Sequence, residues 1–327
     1  RLRVTVKDLD KVASEDKWKQ AAEAAYDIIK QKTDLGLDLV PYPQIFNDVN
    51  NQKAEVILYR PTGESGDFEK ANFPIGVEGG KTSTCPTQNL MEAYDMKDGT
   101  PFVWNNQSNP YDNRDPRMKY TIVCNEMKWP VDPVEIWEGG SNGLPLTNAT
   151  TTGYYLRKYV NSSISFEAGA PTTKAHHNWI LFRYAEVLLN YAEAMVNAYG
   201  ENGLEYTTEK CGMTALQAVN RVRNREGVKM PALPATLSPD EFLKRLKNER
   251  RVELAFEGHR FWDVRRWKEL DETENIYGVK VTKVGAEMNY EKSRINTNVV
   301  EDKMYFYPIA NTELFKNKKL VQNPGWE

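Results

Sequence analysis

The sequence predicts a mainly α-helical protein that carries a large loop-rich insertion and a few short strands. Apolar residues recur at helical spacing within the first 35 residues and again from residue 179 onward. Between these stretches, Gly and Pro are dense over residues 36–82, and irregular sequence continues to residue 178. We therefore divide the chain into a helical part (1–35), a loop-rich ligand-binding part (36–178) and a second helical part (179–327), which together form one composite unit.

The composition narrows the range of functions. Because the formal net charge is −3, the chain has no general electrostatic attraction to nucleic acid, and we expect no nucleic-acid partner. No apolar run approaches 18 residues, the length that a membrane-spanning helix requires. Cys85, Cys124 and Cys211 are too few and too widely spaced for a disulfide framework. The three His residues form no zinc motif with them, so we expect neither a metal site nor a cofactor.

The first predicted helix begins after Ser14, a residue type suited to the N-cap position. Trp18, Ala22, Ala25 and Ile29 follow at helical spacing. A Trp followed by small residues resembles the first helix of a tetratricopeptide unit. A single amphipathic helix is the simpler alternative.

The loop-rich part contains few predicted elements. The apolar run at residues 56–59 predicts a strand, and residues 120–124 and 153–160 predict two more. A short helix is expected to begin near Thr87 and to close near Gly99. The remaining residues are rich in aromatic side chains, which argues against plain disorder.

Helical patterns dominate the second helical part. Leu181, Ala185, Leu188, Ala192 and Met195 form one apolar stripe, which predicts a helix from residue 179. Small Ala residues in this stripe allow another helix to pack closely.

Two capping boxes mark the next helices. Thr214 with Gln217 predicts one start, and Ser238 with Glu241 predicts a long helix that runs toward Trp267. The tail is predicted to be irregular except for a short helix near residues 313–320.

Glu249, Glu253 and Glu257 lie four residues apart and therefore share one helix face. Like charges at this spacing repel unless cations lie between them, so the pattern predicts a partly buried Arg–carboxylate network. A catalytic carboxylate pair is the alternative. The cations expected to serve the network are Arg250, Arg260, Arg265 and Arg266. Asp115 and Arg117 are likewise predicted to form an ion pair across the turn at Pro116, with a structural role.

Aromatic residues beside Asn and Asp in the loops suggest a sugar-binding site. Flat rings can cover the apolar faces of a sugar, while polar side chains hydrogen-bond its hydroxyl edges. The alternative is that these rings only anchor the loops to the core. The candidate ligand-binding residues are Trp104, Asn106, Tyr111, Asp112, Trp129 and Trp137.

Motifs of catalysis are missing from the sequence. It contains no GxSxG elbow, no GxGxxG loop and no Walker A loop. A glycoside hydrolase needs two carboxylates at a defined separation, and no local motif marks such a pair. We therefore expect a protein that is not an enzyme.

Several short motifs, in this order, resemble those of the SusD/RagB family of outer-membrane nutrient-binding lipoproteins of Bacteroidetes, over the C-terminal two-thirds or so of such a protein. Each motif is weak alone, but their joint presence is specific. They are the Trp18 helix, Thr87-Gln88, Ala93-Tyr94, Asp98-Gly99, Asp115-Pro116-Arg117, Gly153-Tyr154, Lys158-Tyr159, Arg183-Tyr184-Ala185-Glu186, Asn220-Arg221-Val222-Arg223, Glu249-Arg250-Arg251, Phe256-Glu257-Gly258-His259-Arg260 and Gln322-Asn323-Pro324-Gly325-Trp326.

The resemblance implies tetratricopeptide-like helix pairs and non-catalytic capture of glycans. It also implies a SusC-like TonB-dependent transporter as partner and an outward-facing position on the outer membrane. The lipid anchor and the first helices of such a protein have no counterpart here, so we expect that an N-terminal part is missing from this chain. The matching motifs belong to the scaffold, and the site residues therefore rest on their chemistry alone. A helical-repeat module for protein partners and a peptide-binding receptor remain alternatives, and a hydrolase is a third.

Overall fold

A computed structural model describes residues 15–46, 54–105 and 109–327 of the chain. Its helices are α1 (Glu15–Lys30), α2 (Tyr42–Ile45), α3 (Asp67–Asn72), α4 (Gln88–Ala93), α5 (Arg117–Thr121), α6 (Tyr184–Tyr199), α7 (Ala215–Arg223), α8 (Pro239–Glu253), α9 (Arg260–Arg266) and α10 (Asn311–Lys316). Its strands are β1 (Val56–Pro61), β2 (Ile122–Val123), β3 (Tyr155–Leu156), β4 (Asn178–Arg183), β5 (Asn275–Val284) and β6 (Glu287–Thr297). Short 3₁₀ turns lie at Gly200–Asn202, Leu270–Thr273 and Asp302–Tyr305.

The helical side of the molecule is built around α6. Helix α1 packs along it, and α7 and α8 pack on its other sides. Ala185 and Ala192 are fully buried, and these small side chains allow the neighbouring helices to approach. Ala22 and Ile29 of α1 lie in the same core. The predicted first helix is therefore confirmed, while its predicted cap, Ser14, lies outside the described residues.

Both predicted capping boxes are present. The Thr214 side chain accepts the Gln217 amide, and the Gln217 side chain accepts the Thr214 amide in return. Ser238 and Glu241 do the same at the start of α8. These local signals fix the helix starts because the first turn of a helix otherwise leaves its amides without partners.

The predicted long helix ends earlier than expected. Helix α8 stops at Glu253, and the chain then turns through Phe256 and Gly258, both at positive φ. Helix α9 begins separately at Arg260. Glycine suits such a turn because it has no Cβ to strain the left-handed conformation.

The expected helix start at residue 179 is wrong. Residues 178–183 form strand β4, which pairs antiparallel with β1, and the helix begins at Tyr184. Leu181 is exposed on this strand and does not belong to the helical stripe. Pairing with β1, a segment about 120 residues earlier, decides the conformation, and the periodicity of the sequence could not show it.

Two further strand predictions were too long. Tyr120 and Thr121 end helix α5, so that only Ile122 and Val123 are extended. Of residues 153–160, only Tyr155 and Leu156 form a strand, and they pair with Val123 and Ile122. The strand predicted at residues 56–59 is confirmed as part of β1.

A long β-hairpin, β5–β6, lies in a region for which no strand was predicted. Val279, Val281 and Tyr290 are buried on its inner face, and a two-residue connection at Gly285 joins the strands. The hairpin docks where the Val279 amide donates to the Thr152 carbonyl at 2.9 Å. A Cβ on Gly153 would lie 2.2 Å from the Val279 carbonyl oxygen, so this approach requires glycine.

Candidate functional site

The loop that carries Tyr111 and Asp112 is anchored by the buried side chain of Arg114. Its guanidinium donates to the carbonyls of Met91 at 2.7 Å, Tyr94 at 2.6 Å and Pro110 at 2.7 Å. It also lies 3.6 Å from the centroid of the Phe102 ring. These contacts hold the loop in one position, because a buried guanidinium without hydrogen-bond partners would raise the free energy of the folded state.

Trp104 and Trp137 are partly exposed and pack at the edge of one hydrophobic cluster. This cluster includes Tyr111 and the inner face of the β5–β6 hairpin. The Glu138 amide donates to the Val281 carbonyl at 3.0 Å, which fixes the Trp137 segment along β5. The ammonium of Lys283 lies 4.1 Å from the centroid of the Trp137 ring. The arrangement places partly open aromatic rings beside a cation.

Adjacent residues of the anchored loop face opposite environments. Tyr111 is 6% exposed and packs edge to face on Tyr154 and Tyr290. Burial raises its pKa well above the ordinary value. Asp112 is exposed and accepts a hydrogen bond from Asn109 at 3.0 Å. Tyr111 therefore packs in the core beneath the loop, whereas Asp112 is accessible to a ligand.

Trp129 lies in a different cluster from the other candidate rings. It is 3% exposed and packs edge to face on Phe73, with ring centroids 5.6 Å apart. A ring so enclosed offers a ligand little open surface. Trp129 lines a cleft of about 320 Å³ together with its exposed neighbours Val131 and Asp132.

The structure therefore places part of the predicted site around one hydrophobic cluster. Trp104 and Trp137 pack on the cluster that contains Tyr111, and Asp112 is the next residue in the chain. Trp129 belongs to a different cluster. Asn106 lies outside the described residues. We use the term loop-aromatic surface for Trp104, Asp112, Trp137 and Lys283. Lys283 was not among the residues predicted for the site. The alternation of Val279 and Val281 before Gly285, with Met288 and Tyr290 after it, was the signal that could have placed this hairpin.

The predicted Arg–carboxylate network exists, and it is more deeply buried than expected. We call it the ionic core. Glu253 accepts from Arg183 and Arg225 at 2.7 Å each and from Arg117 at 2.9 Å. The Asp115–Arg117 pair is also confirmed, with 2.6 Å between the charged atoms. The remaining pairs are Glu249 with Arg117 and Arg223, Glu257 with Arg183 and Lys158, and Glu55 with Arg183 and Arg225.

The cations predicted for this network were wrong. Arg250 pairs with Asp263, Arg260 with Glu272, and Arg266 with Glu193 and Asp263. Arg265 lies over the Phe261 ring instead. The cations that do serve the network come from distant segments of the chain, and helical spacing carries no information about them.

The ionic core connects the loop-rich part to α8. Arg117 lies at the end of the loop that follows Arg114, Lys158 lies in the chain after β3, and Arg183 lies at the end of β4. Each of them forms an ion pair with a Glu side chain of the network. Burial of the Lys158 ammonium lowers its pKa to about 8, although Glu257 opposes this. Through Arg117, the network thus also holds the segment that follows Asp112.

Acid is expected to destabilise this arrangement. Burial alone would raise the pKa values of Glu249, Glu253 and Glu257, but the adjacent cations hold all three below the ordinary 4.5. Because the folded-state pKa values are depressed, their contribution is complete above about pH 4.5 and is lost as the pH falls further. We expect the free energy of unfolding in urea to change little between pH 7 and pH 5.5 and to fall steeply below about pH 4.5.

One buried carboxyl acts in the opposite direction. Burial raises the pKa of Asp95 to about 6, so folding takes up a proton there between about pH 6 and pH 4. An Asp95→Asn variant removes this opposing contribution and serves as the control in the same titration. A main loss of stability centred above pH 6 in that variant would contradict the assignment to the ionic core.

Another cleft, of about 760 Å³, lies between α4, the chain near Phe102 and α8. Its charges are largely paired with one another, as in the 2.8 Å contact of Arg245 with Asp95 and the contact of Lys247 with Glu269. Within the described ranges, no cluster of three His, Cys, Asp or Glu side chains could hold a metal ion. Nor does any helix in those ranges combine the length and apolar character needed to cross a membrane.

These features define a class of protein: a mainly helical scaffold with helix pairs, on which anchored loops display aromatic side chains. A family model described as the SusD family matches residues 44–326. The chain therefore belongs to the SusD/RagB family, and the resemblance of its motifs to that family is confirmed.

Solved structures from Bacteroides fragilis NCTC 9343 have the same fold. One is a SusD-like protein that is 26% identical to this chain, with a TM-score of 0.72; the match covers 94% of this chain and 64% of that protein. Another is a SusD-like carbohydrate binding protein that is 27% identical, with a TM-score of 0.72; the match covers 95% of this chain and 62% of that protein. The predicted mainly α-helical, SusD-like fold is thus confirmed, and the chain spans less than two thirds of each of these proteins.

A sequence relative is found in Formosa agariphila. SusD-like protein P2 of that organism is 29% identical over 167 residues, which is 49% of this chain and 28% of the relative. SusD-like protein P38 is 37% identical over 97 residues, or 27% of this chain and 17% of the relative.

Proposed function

We propose that this protein binds glycans at the cell surface without catalysis and delivers them to a SusC-like TonB-dependent transporter. The observation that carries the proposal is the loop-aromatic surface, held on the scaffold of a family that includes a protein described as carbohydrate binding. Partly open indole rings beside charged groups suit the two kinds of surface that a sugar ring presents.

The geometry suits recognition by stacking. The rings of Trp104 and Trp137 cover apolar C–H faces, and the Asp112 carboxylate and Lys283 ammonium hydrogen-bond hydroxyl groups at the edges. Because Arg114 and the hairpin hold these segments before a ligand arrives, little conformational entropy is lost on binding.

A non-catalytic role is supported by the state of the buried acids. Glu249, Glu253 and Glu257 form ion pairs that hold their pKa values low, which is the opposite of what a general acid requires. All three side chains are also buried in the ionic core. The acidic cluster thus suits a structural role.

The place of the protein in the cell is part of the same proposal. An outward-facing lipoprotein at the outer membrane would capture glycans next to the transporter that imports them. Family membership supports this position, and we propose both the lipid anchor and the transporter contact on that basis.

Removal of the two exposed rings should weaken binding. We expect Trp104→Ala and Trp137→Ala each to weaken affinity for a glycan identified on an array by about tenfold, because each loses one stacking face. Calorimetry with the purified chain measures this, and Trp137→Tyr, which keeps a ring, is the matched control. Unchanged affinity in both Ala variants would refute the site, and sugar release from the bound glycan by pure protein would refute the non-catalytic role.

A protein-interaction role is the second candidate, and a specific groove favours it. The groove lies between α1 and α6, has a volume of about 460 Å³, and is lined by Trp18, Ala25, Ile28 and Val187 among others. Helix pairs in repeat proteins use such apolar surfaces to bind polypeptides. Recovery of a membrane transporter with the tagged chain, together with no glycan binding on an array, would favour this role.

A further inference from the structure

Three aromatic side chains form an exposed surface on α9 and the tail, separate in sequence from the loop-aromatic surface. Phe261, Trp262 and Tyr307 are 36%, 49% and 59% exposed. The Phe261 and Tyr307 rings stack with centroids 5.5 Å apart and planes 21° apart. The Trp262 ring stands steeply to both, at 83° to Phe261 and 64° to Tyr307. We call these three residues the aromatic platform.

The terminal QNPGW motif holds Tyr307 in place. The Gln322 side chain makes two hydrogen bonds with the backbone of Ile309, at 2.7 and 3.0 Å. The Asn323 side chain donates to the Tyr307 carbonyl at 2.5 Å. The Trp326 indole donates to the Lys303 carbonyl at 2.9 Å. The platform is thus formed before any ligand binds, which reduces the entropy lost on binding.

Among the described residues, a cation without an acidic partner borders the platform. The Arg265 guanidinium carbon lies 3.5 Å from the Phe261 ring centroid and 5.8 Å from that of Tyr307. Its Nη1 donates to the Phe261 carbonyl at 2.9 Å. In the part of the chain that the structure describes, Arg265 makes no ion pair, whereas its neighbour Arg266 pairs with Glu193 and Asp263.

We propose that the aromatic platform is a second glycan contact that prefers an acidic sugar, one whose ring carries a carboxylate. The exposed ring of Tyr307 would stack on the C–H face of the sugar, and the guanidinium of Arg265 would pair with its carboxylate. Rigid rings beside a guanidinium that has no ion pair within the described ranges favour such a ligand over an apolar protein surface, which would bury the cation without a partner. This inference rests on the proposed function.

A second contact on one chain changes how polymer length affects affinity. A polysaccharide that reaches both surfaces gains from the effective concentration of the second one, whereas a short oligosaccharide occupies only one at a time. Platform variants should therefore weaken binding of long chains more than binding of short ones.

Polygalacturonate and its methyl ester provide a matched test, because esterification removes the charge and keeps the backbone. We expect wild-type protein to bind the acid form at least fivefold more tightly than the ester in affinity electrophoresis. Tyr307→Ala and Arg265→Gln should each weaken binding of the acid form by about five- to tenfold. Phe315→Ala, which removes another strongly exposed ring outside the platform, should change nothing.

The outcomes separate this inference from the proposed function. Equal binding of both polymers, or full affinity in the Tyr307 and Arg265 variants, overturns the platform while glycan binding through Trp104 and Trp137 stands. No glycan binding by wild-type protein to an array or to polygalacturonate overturns both. Loss of a co-purified membrane protein in the platform variants, with polygalacturonate binding intact, would assign the rings to a protein interface instead.

Discussion

Replacing Glu253 by Gln is expected to lower the free energy of unfolding by about 3–5 kcal/mol, the range found when one partner of a buried ion pair is removed. The Glu253 carboxylate is fully buried and contacts Arg183 and Arg225 at 2.7 Å and Arg117 at 2.9 Å. Gln has nearly the same shape, so the change removes charge with little change in packing.

The size of the effect follows from what remains in the ionic core. Without the negative charge of Glu253, three buried guanidinium groups have less compensating charge in a medium that solvates them poorly. The new amide also places N–H donors against groups that can only donate. Arg117 holds the loop-rich part to α8, and Arg183 holds strand β4, so we expect these segments to loosen before the helices unfold.

Urea denaturation at pH 7 measures this change, and hydrogen exchange locates it. The matched control is Glu313→Gln, which removes an exposed carboxylate from a surface pair with Lys316. Such surface pairs contribute little, and the control should shift stability by less than about 0.5 kcal/mol. Equal, small effects in the two variants would show that the ionic core is not a main source of stability.

The two capping boxes predicted the starts of α7 and α8 correctly, since each box depends on residues within one turn. Thr214 and Ser238 reach partners three residues away, so the sequence contains the whole interaction. The spacing of Glu249 and Glu253 predicted a shared helix face and a need for cations for the same reason. Glu257 lies beyond the end of α8, so the helix face predicted for it was wrong, although it joins the same ionic core. The identity of those cations depends on tertiary contacts.

Long-range contacts explain the errors. Arg117 meets Glu253 across 136 positions of sequence, and β4 forms a strand because β1 pairs with it. No property of residues 178–183 alone specifies that pairing, and their apolar residues also fit a helical period. The hairpin β5–β6 is different, because the alternation of its apolar residues and the glycine at its turn are local features of the sequence that indicate a hairpin.

Residue type alone could not separate supporting rings from exposed ones in the candidate site. Tyr111 and Asp112 are neighbours, yet one lies between two Tyr rings and the other faces solvent. Trp129 and Trp137 have the same side chain and lie eight positions apart, but their exposure differs. The difference arises from which core cluster each loop crosses, which is a property of the fold.

Replacing Trp129 by Ala is expected to cost about 3–5 kcal/mol of stability, the range for removing a large buried ring. Its indole packs on Phe73 in a cluster that also contains Tyr155 and Ile164, and the deletion leaves a cavity that these neighbours cannot fill. Thermal and urea denaturation measure the loss.

Trp137→Ala is the matched comparison, because it removes the same side chain from a partly exposed position on the loop-aromatic surface. We expect it to lower stability by only about 1 kcal/mol, since much of the ring is already in water. Binding should show the reverse order, because a folded Trp129 variant keeps both exposed rings while the Trp137 variant loses one. If Trp129→Ala instead left stability unchanged and abolished glycan binding, its ring would belong to the ligand site and not to the core.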